Sequence, residues 1–173
     1  MESTICTIGF AGKTAEQFFR LLTEAGVKKV IDIRENRTGQ LSGYAKWPDL
    51  EFFLKRVAEI GYLYEPLLAP SPEIRDAYYE TKNWPAYESA FLNLMRERDI
   101  PQSLNLSLYM ESVALLCSEP QPEKCHRKIV AELVREECSR SGSVARVRHL
   151  SVDTRHSSVQ KRKKVSTSKI AND

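Results

Sequence analysis

The sequence lacks the features of an exported or membrane-spanning chain. Its first residues show no basic segment followed by a long apolar one, and nowhere do about 18 apolar residues run together. Only four cysteines occur, at positions 6, 117, 125 and 138, without the dense spacing of a secreted disulfide scaffold. We therefore expect a cytoplasmic protein with reduced thiols, no disulfide framework and no membrane partner.

A strong net charge is also missing. The formal charge is +3, and residues 151–173 hold six basic and two acidic residues, which leaves the rest nearly neutral. A domain with almost no net charge gives no overall positive surface for binding nucleic acid. The 151–173 segment is rich in Ser, Thr and Lys and poor in large apolar groups, so we predict a disordered basic tail after a single domain of residues 1–150.

Apolar strand patterns alternate with helical patterns along this domain. The predicted strands span residues 4–8, 28–34, 62–66, 112–117 and 144–150. Helical patterns begin near Thr14, Pro48, Trp84 and Glu123, and the stretch containing Pro66, Pro70 and Pro72 is expected to be a loop. This alternation predicts an α/β fold, a single three-layer domain with a mainly parallel sheet.

Ligands of such sheets bind beyond the carboxyl ends of the strands. Gly9, Asp32, Arg34, Cys117 and Glu119 follow or end predicted strands, so they should meet at one edge. Asp32 and Arg34 flank Ile33 and face the same side of a strand. Arg34 could hold a phosphate with Asp32 orienting it or moving a proton, or the two could form a plain buried ion pair.

The sequence Cys125-His126-Arg127 stands at the predicted start of a helix, where backbone N–H groups favour anions and thiolates. Cys125 could be a nucleophile beside an imidazole and a guanidinium, or it could simply pack. Because neighbouring helical residues point in different directions, we do not expect all three side chains to converge unaided.

A metal site is the alternative for Cys117, Cys125 and His126, together with Glu119. Zinc sites usually show two closely spaced cysteine pairs, and that pattern is missing. We therefore predict no cofactor, although a metal at Cys117, Cys125 and His126 is not excluded. In the loop after the second strand, Tyr44 offers a stacking face for a substrate and Arg37 and Lys46 add basic groups.

Several segments together resemble the domain-of-unknown-function family numbered 488. They are Thr7-Ile8-Gly9-Phe10, Val30-Ile31-Asp32-Ile33-Arg34, Gly61-Tyr62-Leu63-Tyr64 and Leu115-Leu116-Cys117-Ser118-Glu119 with Cys125-His126-Arg127. The resemblance spans residues 4–150 and implies an α/β fold without supplying a reaction. Many members have histidine where Phe10 stands, so no acid–base role of that histidine carries over.

Val30-Ile31-Asp32-Ile33-Arg34-Glu35 also looks like the start of a rhodanese-type sulfurtransferase. That family needs a cysteine loop rich in inward N–H donors, whereas Pro120 and Pro122 follow Cys117 here. A phosphatase-like loop is missing its arginine as well, because Glu123 stands six positions after Cys117.

Three hypotheses about function follow from the sequence. The first is a protein that binds or acts on a phosphate-bearing substrate, a nucleotide or nucleic acid, as a hydrolase or transferase. The second is a thiol-dependent sulfurtransferase or redox enzyme, and the third is a non-enzymatic interaction module whose tail touches nucleic acid. Predicted catalytic residues are Cys125, His126, Glu119 and Asp32; predicted substrate-binding residues are Gly9, Arg34, Arg127, Cys117 and Tyr44.

Overall fold

A computed structural model describes residues 2–39 and 42–152. Its strands are β1 (Glu2–Gly9), β2 (Lys29–Asp32), β3 (Gly61–Tyr64), β4 (Val113–Cys117) and β5 (Val144–His149). Its α-helices are α1 (Ala15–Glu24), α2 (Asp49–Val57), α3 (Pro72–Thr81), α4 (Trp84–Glu97) and α5 (His126–Arg140). The five strands form one sheet in the order β3-β2-β4-β1-β5, and every pairing is parallel. The predicted α/β fold is confirmed, while most of the predicted tail, residues 153–173, lies outside the described residues.

Alternation along the strands divides the core into two layers. Ile5 and Leu115 pack in a cluster with α4 and α5, whereas Cys6 and Leu116 pack in a second cluster with α1 and α2. Successive side chains of a strand point to opposite faces of the sheet, so each strand feeds both clusters. Helices therefore cover both faces, which confirms the three-layer arrangement.

The position of β4 explains where a site forms. It lies between β2 and β1, and the helix that follows it packs on the opposite face from the helices that follow β1 and β2. Connections that leave neighbouring strands towards opposite faces open a crevice at their carboxyl ends. Cys117 ends β4 at this crevice.

Two predictions about individual elements are wrong. Residues 72–81 form α3 rather than a loop, because Ser71 caps the helix and Pro72 occupies its first turn, where a missing N–H costs nothing. The second strand ends at Asp32, so Arg34 lies in the loop beyond it. No helix in the described ranges has an apolar stretch long enough to cross a bilayer.

Candidate active site

Two cysteines meet at the carboxyl end of β4. Cys117 is its last residue, and the chain returns through residues 118–124 to Cys125, the N-cap of α5. The Cys125 thiol donates a hydrogen bond to the Cys117 sulfur, with the two Sγ atoms 3.2 Å apart. Both side chains line a cavity of about 370 Å³, although only 4% of Cys117 and 2% of Cys125 is exposed.

The three consecutive residues at the start of α5 all contribute to this thiol pair. Cys125 has extended backbone angles, φ −145° and ψ 136°, so its side chain does not follow the helical direction. Arg127 Nη1 reaches back to donate to the Cys125 sulfur at 3.2 Å, and His126 faces Cys117. The three side chains converge because Cys125 lies outside the helix, so the divergence expected of neighbouring helical residues does not apply to it.

His126 is oriented by its contact with the residue that follows β2. Its Nε2–H donates to the carbonyl oxygen of Ile33 at 3.0 Å, which leaves Nδ1 3.7 Å from the Cys117 sulfur. The Phe91 ring packs edge-on against the imidazole, with centroids 5.7 Å apart. The ring is therefore held with one nitrogen directed at the thiol.

This arrangement shifts the pKa values of the two thiols in opposite directions. The hydrogen bond from Cys125, the His126 imidazolium and the Glu119 backbone N–H hold the pKa of Cys117 well below its usual value despite its burial. Burial and the neighbouring Cys117 thiolate raise the pKa of Cys125 well above its usual value. The two hydrogen-bonded thiols therefore titrate as a pair, in which Cys117 loses its proton first and Cys125 keeps the shared one.

Two further acid–base groups respond to the same charge. Burial lowers the pKa of His126, but the Cys117 thiolate outweighs it, so the net pKa is raised. Burial, and secondly the charge of Cys117, raises the pKa of the half-buried Glu119, whose side chain belongs to the cavity wall. A thiolate, an imidazolium and a carboxyl that can hold a proton therefore share one cavity.

The same atoms can also hold a soft metal ion. One ligand atom from each of Cys117, Cys125 and His126 lies within 4.8 Å of the other two. Two sulfurs and one imidazole leave a fourth tetrahedral position free, and the Nε2–H bond to Ile33 is the outer contact that metal-binding histidines usually make. These are the three residues that the sequence offered as an alternative metal set, and the fold, rather than closely spaced cysteine pairs, brings them together.

Arg127 and Gly9 shape the loop between β4 and α5. Arg127 is 1% exposed and donates through Nη1 to the Glu119 carbonyl at 2.6 Å and through Nη2 to the Pro120 carbonyl at 3.4 Å. A Cβ added to Gly9 would lie 1.7 Å from the Glu119 carbonyl oxygen. Neither residue lines the cavity, so both lie beneath the loop that carries Glu119.

Asp32 and Arg34 form a buried ion pair at the neighbouring strand end. Arg34 Nε and Nη2 donate to the two Asp32 carboxylate oxygens at 2.8 and 2.6 Å, and Nη1 donates to the Ala45 carbonyl at 2.8 Å. Tyr62 donates its hydroxyl to the same carboxylate at 2.8 Å. Arg34 borders the cavity, but each guanidinium nitrogen already has a protein acceptor.

Tyr44 lies away from the cavity. Its hydroxyl donates to the Phe10 and Lys13 carbonyls at 3.1 and 3.0 Å, and its ring packs against Phe18 and Phe19. The neighbouring loop is held instead by Arg37, whose guanidinium lies 3.6 Å from the Tyr64 ring centroid. The structure thus uses Tyr44 to join the loop after β2 to the loop after β1.

An aromatic wall was missed by sequence reasoning. Four rings from α3 and α4 line the cavity together with two basic side chains: Tyr78, Tyr79, Trp84, Tyr87, Arg75 and Lys124. Their signal in the sequence is four aromatic residues between positions 78 and 87. We did not connect them with the cysteines because α3 was expected to be a loop.

Comparison with known proteins identifies a family but no characterised relative. Residues 14–134 match the family described as Domain of unknown function DUF488. No curated protein matches this chain, and no solved structure matches it. The match covers more than half of the sequence and includes both cysteines of the pair. The chain belongs to the DUF488 family.

Proposed function

We propose that this protein is a thiol-dependent enzyme that exchanges sulfur–sulfur bonds, with Cys117 as the nucleophile and Cys125 as the resolving thiol. The observation that carries the proposal is the 3.2 Å separation of the two sulfurs beside His126 Nδ1, in the wall of a cavity. A thiolate is the reactive form of cysteine, and a second thiol at this distance can complete an exchange.

In the first step the Cys117 thiolate attacks one sulfur of a disulfide substrate. A new bond forms between Cys117 Sγ and that sulfur, the substrate's own sulfur–sulfur bond breaks, and the departing thiolate takes a proton. Glu119 is suited to supply the proton, because burial and the Cys117 charge raise the pKa of its carboxyl. The product is a mixed disulfide on Cys117 and one free substrate thiol.

In the second step Cys125 attacks the Cys117 sulfur of the mixed disulfide. The Cys125 proton passes to the Glu119 carboxylate left by the first step, and Arg127 Nη1 at 3.2 Å stabilises the emerging Cys125 thiolate. The second substrate thiolate leaves with a proton from solvent. Joining the two sulfurs requires them to approach from 3.2 Å to about 2.05 Å. An external dithiol then reduces the Cys117–Cys125 disulfide and completes the cycle.

Oxidation of the reduced protein tests this proposal. One equivalent of diamide should join Cys117 to Cys125, seen as a disulfide-linked peptide by mass spectrometry, while Cys6 and Cys138 stay as thiols. Burial raises the pKa of both control thiols, so they should react slowly in the folded protein. A Cys125→Ser variant should stop at the mixed disulfide with a small disulfide substrate. Oxidation without a Cys117–Cys125 link, or full turnover by Cys125→Ser, would contradict the assignment.

A phosphate-bearing substrate is the second candidate, and the basic side chains of the cavity favour it. Arg75 and Lys124 border the same space as the two thiols. Phosphate binding through Arg34 or Arg127 would first have to displace the carboxylate or carbonyl groups that these arginines contact. Isothermal titration with inorganic phosphate and with a nucleotide tests this candidate, and heat signals that persist unchanged in Lys124→Ala would remove the cavity as the binding site.

A metal ion on Cys117, Cys125 and His126 would be a different use of the same atoms. Elemental analysis of protein purified without chelators separates the two: thiol exchange predicts less than stoichiometric zinc and free reactivity of Cys117. One tightly held ion per chain, with thiols protected until a chelator is added, would replace the exchange reaction by a metal centre.

The four free thiols also support an activity in the reducing cytoplasm.

A further inference from the structure

Tyr79 exposes a large part of its aromatic ring at the cavity. Trp84 and Tyr87 stack on each other with centroids 5.1 Å apart, and Tyr78 lies 5.2 Å from Tyr87, so these rings are engaged in mutual packing. Tyr79 forms no ring–ring pair within the described part of the chain, and 55% of it is exposed although it lines the cavity. A large aromatic face left open at a cavity is suited to stack on a planar ligand.

The charged side chains around the cavity differ in whether they have a partner. Arg34 pairs with Asp32, and Arg75 pairs with both Glu35 and Asp76. Lys124, in contrast, forms no ion pair with any residue of 2–39 or 42–152, and it is exposed at the cavity. Lys82 Nζ lies over the Tyr79 ring, 5.1 Å from its centroid, so an ammonium group already contacts one face of this ring.

Glu119 also lines the cavity, and it forms no salt bridge with a basic side chain of residues 2–39 or 42–152. The cavity therefore brings together the Cys117 sulfur, the exposed Tyr79 ring and the Lys124 ammonium group.

From this juxtaposition we infer that the substrate is a disulfide with a planar aromatic group that carries a carboxylate or phosphate, with Tyr79 stacking on the ring and Lys124 binding the anionic group. The inference rests on the proposed thiol exchange and names the substrate class for it. Lys124 and Tyr79 then determine specificity, while Cys117 carries out the attack.

Three disulfide reagents test the inference without knowledge of the natural substrate. Dithiobis(nitrobenzoate) is aromatic and dianionic, dithiodipyridine is aromatic and neutral, and hydroxyethyl disulfide is aliphatic and neutral. The rate of mixed-disulfide formation on Cys117 is measured with each and divided by the rate of the same reagent with mercaptoethanol thiolate. We expect the normalised rate to be about tenfold higher for the aromatic dianion than for the neutral aromatic reagent.

Matched variants assign this preference to the named side chains. Lys124→Ala should lower the dianion rate roughly threefold to tenfold and leave the two neutral reagents unchanged. Lys128→Ala, in the first turn of α5 and outside the cavity, should change none of the three rates. Tyr79→Leu should slow both aromatic reagents severalfold and spare the aliphatic one. Phe52→Leu, which alters an exposed ring elsewhere, is its control.

The outcomes separate this inference from the proposed function. Equal normalised rates for all three reagents, each well above that of mercaptoethanol, would overturn the substrate class and keep the thiol exchange. Rates no faster than mercaptoethanol for every reagent would overturn both. Phenyl phosphate and benzoate should each slow iodoacetamide alkylation of Cys117 more than benzyl alcohol does, and equal protection by the three would also overturn the inference.

Discussion

Two buried polar clusters lie side by side at the carboxyl ends of β2 and β4, and they differ in what they leave available. In the Asp32–Arg34 cluster both carboxylate oxygens and all three guanidinium nitrogens have protein partners. In the Cys117–Cys125 cluster the thiols and His126 contact each other and also line a cavity. The hydrogen-bonding groups of the Asp32–Arg34 cluster are occupied by protein partners, whereas the Cys117–Cys125 cluster keeps a charged, nucleophilic sulfur that a ligand can approach.

The difference shows that burial and charge alone do not distinguish a structural group from a reactive one. Both clusters are nearly inaccessible to solvent, with Arg34 2% and Cys117 4% exposed. A saturated ion pair stabilises the strand end only as long as both partners are present. A thiolate held by an imidazolium has a depressed pKa and an unblocked side, which is what nucleophilic attack requires.

Removal of the Cys117 sulfur should have the largest effect. Cys117→Ser should abolish alkylation by iodoacetamide below the ordinary thiol pKa of about 8.5, because burial, which persists in the variant, raises the pKa of each of the other three thiols. Peptide mass spectrometry after timed alkylation checks this. Persistent rapid labelling of Cys125 in the variant would move the nucleophile to that residue.

Loss of Arg34 should have the largest effect on stability. Arg34→Ala leaves the Asp32 carboxylate buried without its partner and should lower the free energy of unfolding by about 3–5 kcal/mol. Arg20→Ala removes an exposed pair with Glu24 and should cost below about 0.5 kcal/mol. Urea unfolding measures both changes in the free energy of unfolding. A similarly small change for the two variants would mean that the buried ion pair does not stabilise this strand end.

A methyl group at Gly9 should disturb the loop that carries Glu119. Gly9→Ala places Cβ against a backbone carbonyl that cannot rotate away, so we expect a loss of roughly 3 kcal/mol and slower alkylation of Cys117. Gly43→Ala meets nothing within 4 Å and serves as the control. Equal thermal stability of the two variants would show that the loop can shift freely.

The smallest effect should come from the hydroxyl of Tyr62. Tyr62→Phe removes one hydrogen bond to the buried Asp32 carboxylate and should cost roughly 1.5 kcal/mol. Tyr64→Phe removes a longer, exposed contact to the Glu35 carbonyl at 3.4 Å and should be almost neutral. Neither change should alter Cys117 reactivity, and a clear loss of reactivity in Tyr62→Phe would mean that the two clusters are coupled.

Regular elements could be predicted from the sequence where local signals agree. The capping box formed by Thr14 and Gln17 begins α1 as expected, and an uninterrupted apolar run predicts β4 to within one residue. The three prolines between 66 and 72 suggested a continuous loop, but only the conformation of the chain decides that Pro72 opens a helix.

Sequence reasoning identified the residues at the strand ends but not their contacts. Cys117 and Cys125 meet because a loop of seven residues folds back over Gly9, and no pattern in the sequence encodes that return. Arg34 and Arg127 look like anion-binding residues in the sequence, yet carboxylate and carbonyl oxygens accept from the Arg34 nitrogens and from the two terminal nitrogens of Arg127. Such competition depends on distances that only the folded chain defines.

The pH dependence of Cys117 alkylation tests the account most directly. The thiolate reacts, so the rate should rise as pH passes the lowered pKa of Cys117 and be nearly constant well before pH 8.5. His126→Asn should move the rise to higher pH, whereas His149→Asn, which removes a side chain bonded to Thr7, should leave it in place. A wild-type rate that rises only at pH 8.5 or above, unchanged in His126→Asn, would contradict the claim that His126 and Cys125 hold a thiolate at Cys117.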